Sequence, residues 1–227
     1  MNVLITGASG TVGKNVIDQL LNINNIKITV FDLETKHTKS LYSKYKDTID
    51  IIYGDITDHI DVQSIFKNKI DVVIHLAAII PPLADENPFL AHQVNTLGTE
   101  HLITCIQNKS PDTFFLYASS VSVYGDRIHN PLIKINDTIK PSFGDEYAKT
   151  KIASEKLIMK SSINWSIFRL SAIMGINNHK ISKLMFHMPL ATSIEITTPE
   201  DTARAFVNAI DKQELISNKC VLHDCRV

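Results

Sequence analysis

The fold is decided by Asn2-Val-Leu-Ile-Thr-Gly-Ala-Ser-Gly-Thr-Val-Gly13, an apolar run followed at once by three spaced glycines. Residues 2–6 predict a buried strand, and the periodicity of residues 14–23 predicts a helix. In this order a glycine turn presents backbone N–H groups and a helix N-terminus to a ligand phosphate. Gly7 permits the tight turn, Gly10 lets a pyrophosphate approach the backbone, and Gly13 allows close helix packing. We therefore expect a dinucleotide-binding unit.

A loop that binds nucleoside triphosphates is the alternative for these glycines, because Gly13-Lys14 resembles the end of such a loop. The spacing from Gly7 to Gly13 is one residue too long for it, and Asn15 stands where a serine or threonine should bind magnesium. A turn without a ligand is the plain structural alternative. The strand, turn and helix in sequence favour the dinucleotide.

An acidic residue follows the second predicted strand. Residues 27–31 predict that strand, which ends at Asp32, about twenty positions past the glycines. A carboxylate there can accept hydrogen bonds from both ribose hydroxyls of NAD, and it repels the 2′-phosphate of NADP. Lys36 and His37 are close enough to soften this discrimination. We predict NAD as the cofactor and leave NADP open; an aspartate that merely ends a strand is the alternative.

A second chemical signal is Tyr147-x-x-x-Lys151, in a run from 145 to 160 that predicts one helix. Residues four apart share a helical face. A phenol with a pKa of about 10 is a poor acid or base at neutral pH, but a neighbouring cation stabilises the phenolate. We therefore expect Lys151 to lower the pKa of Tyr147. A surface tyrosine beside a solvated lysine is the alternative.

The composition is that of a globular protein, with 227 residues, 44% hydrophobic, 21% charged and a net charge of −1. Near-neutral charge without a basic block argues against a nucleic-acid partner. The longest apolar stretch, residues 72–83, is too short to span a bilayer, so we expect no membrane partner. Three cysteines and a first strand at residue 2 predict reduced thiols, no signal peptide and a cytoplasmic location. The histidine and cysteine spacings predict no metal site.

Strands alternate with helices along the chain, which predicts an α/β fold: a Rossmann-type, doubly wound parallel sheet with helices on both faces. Further strands are predicted at 49–53, 71–78, 113–118, 164–170, 194–197 and 219–223, and helices at 61–68, 88–108 and 199–212. We expect residues 1–175 to form a dinucleotide-binding domain with the catalytic residues. Residues 176–227 would form a small, reduced C-terminal substrate region whose closing helix and strand pack on the same domain.

Seven motifs in order resemble the extended short-chain dehydrogenase/reductase family, in its group of NAD-dependent nucleotide-sugar epimerases and dehydratases. They are Thr6-Gly-Ala-Ser-Gly-Thr-Val-Gly13, Asp32, Gly54-Asp55-Ile56, His75-Leu-Ala-Ala78, Asn95-x-x-Gly98-Thr99, Ser119-Ser-x-x-Val-Tyr-Gly125 and Tyr147-x-x-x-Lys151.

The resemblance implies a catalytic set. Tyr147 would be the general acid/base on a hydroxyl or carbonyl of a sugar-nucleotide-like or other small-molecule substrate. Lys151 would bind the nicotinamide ribose, and Ser120 would hydrogen-bond the reacting oxygen. Hydride would move to or from the nicotinamide. The implied cofactor-binding residues are Gly7, Ser9, Gly10, Thr11, Val12, Gly13, Asp32, Asp55, Ile56, Leu76, Ala77, Ala78, Asn95, Tyr147 and Lys151. Asn95 would brace the site from the helix that begins at Pro88.

The resemblance also implies a homodimer through the helices that begin at Pro88 and Asp145. Four apolar residues are candidates for the seam, and core packing explains them equally well: Leu90, Val94, Leu97 and Leu102.

Departures from the family pattern limit what the resemblance implies. The segment that usually builds a C-terminal substrate lobe is largely missing between residues 175 and 194, so we expect a reduced lobe or a truncated chain. Val121 and Ser122 stand where dehydratases carry an Asp-Glu pair, which disfavours dehydration, and Ser171 replaces a usual proline. Epimerase and reductase or dehydrogenase chemistry both stay open, and a non-catalytic dinucleotide sensor is the alternative class.

The run His75-Leu-Ala-Ala-Ile-Ile-Pro-Pro82 indicates an apolar rim that would suit a hydrophobic carbonyl or hydroxysteroid-like substrate. An apolar loop packed into the core explains the same run equally well.

Overall fold

The computed structural model describes residues 1–175 and 195–223. Its strands are β1 (Asn2–Thr6), β2 (Lys27–Asp32), β3 (Asp50–Tyr53), β4 (Val72–His75), β5 (Phe114–Ser120), β6 (Asn164–Leu170), β7 (Ala172–Ile173), β8 (Ile196–Thr197) and β9 (Lys219–His223). Seven of them form one parallel sheet in the order β3-β2-β1-β4-β5-β6-β9, and β7 pairs with β8 separately.

The helices are α1 (Thr11–Leu20), α2 (Lys36–Tyr42), α3 (His59–Ile65), α4 (Leu83–Glu86), α5 (Pro88–Ala91), α6 (Gly98–Lys109), α7 (Glu146–Lys160), α8 (Pro199–Ile210) and α9 (Gln213–Ile216). A π-helical turn, His92–Leu97, joins α5 to α6, and 3₁₀ turns lie at Ser43–Tyr45 and Val121–Tyr124.

Each face of the sheet has its own hydrophobic core. Successive strand residues point to opposite faces, so Val3 and Ile5 of β1 pack in the core that α1 and α8 cover. Leu4 packs in the other core, with α3, α6 and α7. A parallel sheet covered on both faces is the doubly wound arrangement, and the predicted fold class is confirmed.

Several element boundaries differ from the prediction for local reasons. Helix α1 begins at Thr11, directly after the glycine turn. Helix α2 was missed because its sequence is mostly polar; the Thr35 side chain caps it by accepting from the backbone N–H of Thr38. The single helix expected at 88–108 contains the π turn. Of the strand expected at 194–197, Ile196–Thr197 is observed, and residue 194 lies outside the described residues.

The strand order reverses between β1 and β4, and parallel sheets bind ligands at such a point, outside the carboxyl ends of the strands. Strand β9 pairs with β6, so the described C-terminal residues join the same sheet. The division at residue 175 stays a prediction.

Two of the residues expected at a dimer seam lie elsewhere. Leu102 is fully buried in the core beneath α6, because its side chain faces the sheet. Val94 lines a cavity. Leu90 and Leu97 are half-buried.

Across residues 1–175 and 195–223, no helix has the length and apolarity needed to cross a membrane. In the same part of the chain, no three histidine, cysteine, aspartate or glutamate side chains converge as metal ligands.

Candidate active site

A cavity of about 620 Å³ lies along the carboxyl ends of the strands, from Asp32 to Tyr147. It brings together Ser120, Tyr147, Lys151 and all the predicted cofactor-binding residues except Asp55 and Asn95. The residues expected to form an apolar rim, Ile79, Ile80 and Pro81, also line it. Sequence reasoning missed other wall residues, among them Leu33, Val94 and Ile173. Leu33 directly follows β2, which is the signal that could have found it.

The glycine turn presents bare backbone to this cavity. Gly7 has a φ of +67°, and a Cβ there would lie 2.6 Å from the backbone of Ala77. A Cβ on Gly13 would lie 2.5 Å from the Cα of Ala8. Gly10 is the N-cap of α1, and among the described residues no side-chain cap accepts from the first N–H groups of the helix. A pyrophosphate fits such a cradle, because the free N–H groups and the helix dipole both favour an anion.

Asp32 is held rigidly at the other end of the cavity. Its carboxylate accepts hydrogen bonds from the backbone N–H of Ser9 at 3.0 Å, the N–H of Leu33 at 3.0 Å and the Tyr42 hydroxyl at 2.8 Å. Burial and the Asp32 charge raise the pKa of Tyr42, so this hydroxyl remains a donor. A carboxylate has about four acceptor positions, so Asp32 retains capacity for a ligand hydroxyl.

Helix α7 carries Tyr147 and Lys151 one turn apart. Lys151 is 3% exposed, and its Nζ donates a hydrogen bond to the carbonyl oxygen of Ala118 at 2.7 Å. The same Nζ lies 5.6 Å from the centroid of the Tyr147 ring and 4.8 Å from that of Tyr117. The start of α7 is fixed by Asp85, whose Oδ1 accepts from the backbone N–H groups of Glu146 and Tyr147 at 3.0 and 3.4 Å.

In this geometry burial, rather than Lys151, dominates the pKa of Tyr147. Desolvation is the largest influence on the Tyr147 pKa and raises it, Asp145 raises it further, and the Ser120 side chain opposes them. Burial lowers the pKa of Lys151 to about 7, although Glu155 raises it. Desolvation disfavours the charged form of both groups, and the Lys151 ammonium is directed at Ala118. Tyr147 is therefore a protonated donor, and Lys151 titrates near neutrality.

Asn95 and Asp55 lie off the cavity wall. Asn95 is 1% exposed; its Oδ1 accepts from the N–H of Ile79 at 2.7 Å, and its Nδ2 donates to the Ile79 carbonyl at 2.9 Å and to Thr150 Oγ1 at 3.0 Å. It therefore ties the loop after β4 to α7, which is a positioning role. Asp55 is exposed and accepts from the N–H and hydroxyl of Thr57, both at 2.8 Å.

His75, at the end of β4, connects β1 to α6 through two side-chain hydrogen bonds. Its Nδ1 lies 2.6 Å from Thr6 Oγ1 and its Nε2 lies 2.9 Å from Thr99 Oγ1. The Thr99 hydroxyl donates to the Asn95 carbonyl at 2.6 Å, so Nε2 must carry the proton and Nδ1 must accept from Thr6. Burial lowers the pKa of His75 to about 3. Sequence reasoning treated His75 only as part of a motif.

A buried ion pair lies one turn beyond Lys151. Arg169 donates to Glu155 from Nε at 3.0 Å and from Nη2 at 2.7 Å, and both side chains are at most 5% exposed. Ser119 donates to the same carboxylate at 2.5 Å, and Arg169 Nη1 donates to the Tyr124 hydroxyl at 2.6 Å. Strands β5 and β6, helix α7 and the 3₁₀ turn after β5 are thus held together beside the site.

Known proteins resemble this chain throughout its length. The model of the NAD dependent epimerase/dehydratase family matches residues 3–217. UDP-glucose 4-epimerase from Pisum sativum is 26% identical over 194 residues, covering 80% of this chain and 54% of that protein. A 3β-hydroxysteroid dehydrogenase/Δ5→4-isomerase from Mycobacterium tuberculosis is 27% identical over 214 residues, covering 89% of this chain and 55% of that protein.

Among solved structures, the UDP-glucose 4-epimerase of Thermus thermophilus in complex with NAD superposes with a TM-score of 0.79 at 18% identity, covering 99% of this chain and 78% of that one. At this identity the likeness is one of fold. The chain spans 54–63% of the length of the first curated relatives that it matches. Because the family model matches nearly the whole chain, this protein belongs to the NAD dependent epimerase/dehydratase family.

Proposed function

We propose that this chain binds NAD between Asp32 and Tyr147 and interconverts a hydroxyl and a carbonyl group on a small substrate, as an oxidoreductase or epimerase. The observation that carries this proposal is the meeting of Ser120, Tyr147 and Lys151 at one end of a cavity whose other end holds Asp32 and the glycine turn. When bound, NAD supplies the hydride acceptor or, once reduced, the hydride donor.

The cavity has a place for each part of this cofactor. The glycine turn would hold the pyrophosphate, since it leads into the start of α1, whose first N–H groups have no side-chain cap. Asp32 would accept from the adenosine ribose and would repel the additional phosphate of NADP. Ala77 and Ala78 leave room for a flat ring beside Tyr147. The family description and the T. thermophilus complex, both of which name NAD, support the same choice.

Tyr147 would move the proton at the substrate oxygen. Its phenol is protonated and can donate that proton to a carbonyl oxygen during reduction; the phenolate form would accept the hydroxyl proton during oxidation. Ser120, which lines the same end of the cavity, would hold the same oxygen. The charged form of Lys151 would stabilise the phenolate when it forms.

Substituting Tyr147→Phe tests the proposal, because it removes the hydroxyl and keeps the ring. Loss of an acid/base group is expected to reduce turnover by about 10²- to 10⁴-fold, while NAD affinity measured by calorimetry stays unchanged. Tyr53→Phe is the matched control, since Tyr53 is half-buried and lies outside the cavity wall.

A dinucleotide sensor without chemistry is the second candidate, and it should retain its full response in Tyr147→Phe. Unchanged turnover in this variant would remove Tyr147 from the mechanism. Failure of the wild-type chain to bind NAD or NADH would end the cofactor proposal.

A homodimer and a cytoplasmic location complete the proposal. The helices expected to pair are α5, α6 and α7, with half-buried Leu90 and Leu97 as the remaining seam candidates. Sedimentation as a monomer at micromolar concentration would remove the dimer.

A further inference from the structure

We propose that the substrate is an uncharged alcohol or ketone with an apolar body, rather than an anionic sugar nucleotide. This inference rests on the proposed function, because it names the substrate class of the same Tyr147 site.

The loop that follows β4 lies beside the start of α7. Asn95 binds the main chain of Ile79 and also the side chain of Thr150 on α7. Asp85, a few residues beyond the loop, binds the N–H groups of Glu146 and Tyr147. Residues 79–81 therefore form the cavity wall at its Tyr147 end.

That wall is apolar. The loop contributes Ile79, Ile80 and Pro81, the π turn contributes Val94, and β7 contributes Ile173. Ile80 is 60% exposed although its neighbour Ile79 is fixed by two hydrogen bonds. An exposed apolar side chain on a rigid rim favours a ligand that covers it, because burial removes apolar surface from water.

Charged groups around the same end are mostly acidic. Helix α4 provides Asp85 and Glu86, and the start of α7 provides Asp145 and Glu146. These groups affect each other: burial, Asp85 and Glu146 raise the pKa of Asp145. Lys149 pairs with Glu146 at 2.6 Å, so the described charges on α4 and from Asp145 to Lys149 sum to −3.

The described cavity wall contains a single cationic side chain, Lys151, whose Nζ donates to the Ala118 carbonyl. A sugar nucleotide carries a diphosphate, which needs cations or N–H donors at close range. The four carboxylates on α4 and at the start of α7 repel a diphosphate. A neutral substrate avoids this repulsion and is stabilised by burial against the apolar wall. The charge and the lining therefore point to the same substrate class.

The first experiment measures kcat/KM with NAD for secondary alcohols of increasing alkyl length, and for UDP-glucose and UDP-galactose. We expect kcat/KM to rise by up to about fourfold per methylene, which corresponds to about 0.8 kcal/mol, until the wall is covered. Ile80→Ser should flatten this dependence. Ile60→Ser is the matched control, because Ile60 is 75% exposed on α3 and lies outside the cavity wall.

The second experiment tests the charge of the rim. With an alcohol that carries a carboxylate, added salt should raise kcat/KM, because salt screens repulsion between exposed charges; Glu86→Lys should raise it at low salt. A neutral alcohol of equal length should respond to neither change. Glu214→Lys, on exposed α9, is the control and should have no effect.

Turnover of UDP-sugars at least tenfold more efficiently than neutral alcohols would overturn the inference and leave the proposed function standing. Turnover of neither class despite NAD binding also counts against it. Absence of NAD binding would instead overturn the proposed function.

Discussion

Replacing Glu155 by glutamine is expected to destabilise the protein strongly, because it leaves the Arg169 charge buried without a partner. The carboxylate accepts from Arg169 Nε at 3.0 Å, from Nη2 at 2.7 Å and from the Ser119 hydroxyl at 2.5 Å. The two charged side chains are 1% and 5% exposed, so water screens them little. Breaking such a pair costs about 3–5 kcal/mol in the free energy of unfolding.

Urea and thermal unfolding would measure this cost. For a chain of this size about 1 kcal/mol lowers the melting temperature by about 2–4 °C, so Glu155→Gln or Arg169→Met should lower it by about 6–20 °C. The double variant Glu155→Leu/Arg169→Met should recover part of the loss, because neither charge is left unpaired. Recovery stays incomplete, since the Ser119 hydroxyl loses its acceptor.

The control is Lys27→Met, which removes an ion pair with Asp50 whose side chains are 60% and 55% exposed. Its expected cost is at most about 1 kcal/mol. If Glu155→Gln costs no more than this control, or if the double variant costs the sum of the two single variants, the reasoning about the buried pair is refuted.

Three further predictions concern ionisable groups. Burial gives Lys151 a pKa of about 7 in the folded chain, whereas the unfolded value is about 10.4. Between these two pH values Lys151 is mostly neutral in the folded chain and protonated in the unfolded chain. Stability should therefore rise with pH across this window, and urea unfolding of Lys151→Met should lack that slope. Below pH about 6.5 the unfolded chain protonates His75, whereas the folded pKa is about 3. Stability should thus fall as pH drops through this range; acid titration of His75→Phe should lack this contribution and show a loss of about 1–3 kcal/mol, because the Thr6 hydroxyl loses its acceptor. Asp32→Asn should raise the affinity for NADP relative to NAD by about tenfold, about 1.4 kcal/mol, in calorimetric titrations; an unchanged ratio, or an equal change in Asp50→Asn, contradicts the assigned role of Asp32.

The glycine turn and Asp32 could be located from the sequence because the turn directly follows β1 and Asp32 is the last residue of β2. A residue at a strand end has its place set by the sheet, so the order of motifs along the chain was enough to gather them at one edge. The same logic applies to Ser120, which ends β5.

The polar framework around the site could not be predicted in this way. His75 pairs with Thr6 across 69 residues, through the register of β4 against β1. It pairs with Thr99 across 24 residues, and that contact depends on how α6 is rotated against the sheet. Sequence spacing placed Tyr147 and Lys151 on one face correctly. It did not reveal how deeply they are buried, and burial decides the direction of both pKa shifts.

The π turn at His92–Leu97 gives this site a simple route of change in evolution. Such a turn holds one residue more than the α-helix would need for the same rise. Deleting one residue from the turn would give a continuous α-helix, and the faces of α5 and α6 that pack on the rest of the protein would change little. Side chains within the turn would rotate by about 100° around the helix axis. Asn95 would then lose its two hydrogen bonds to the main chain of Ile79. A single-codon deletion could therefore release the rim of the cavity from α7 while the sheet and both cores stay intact.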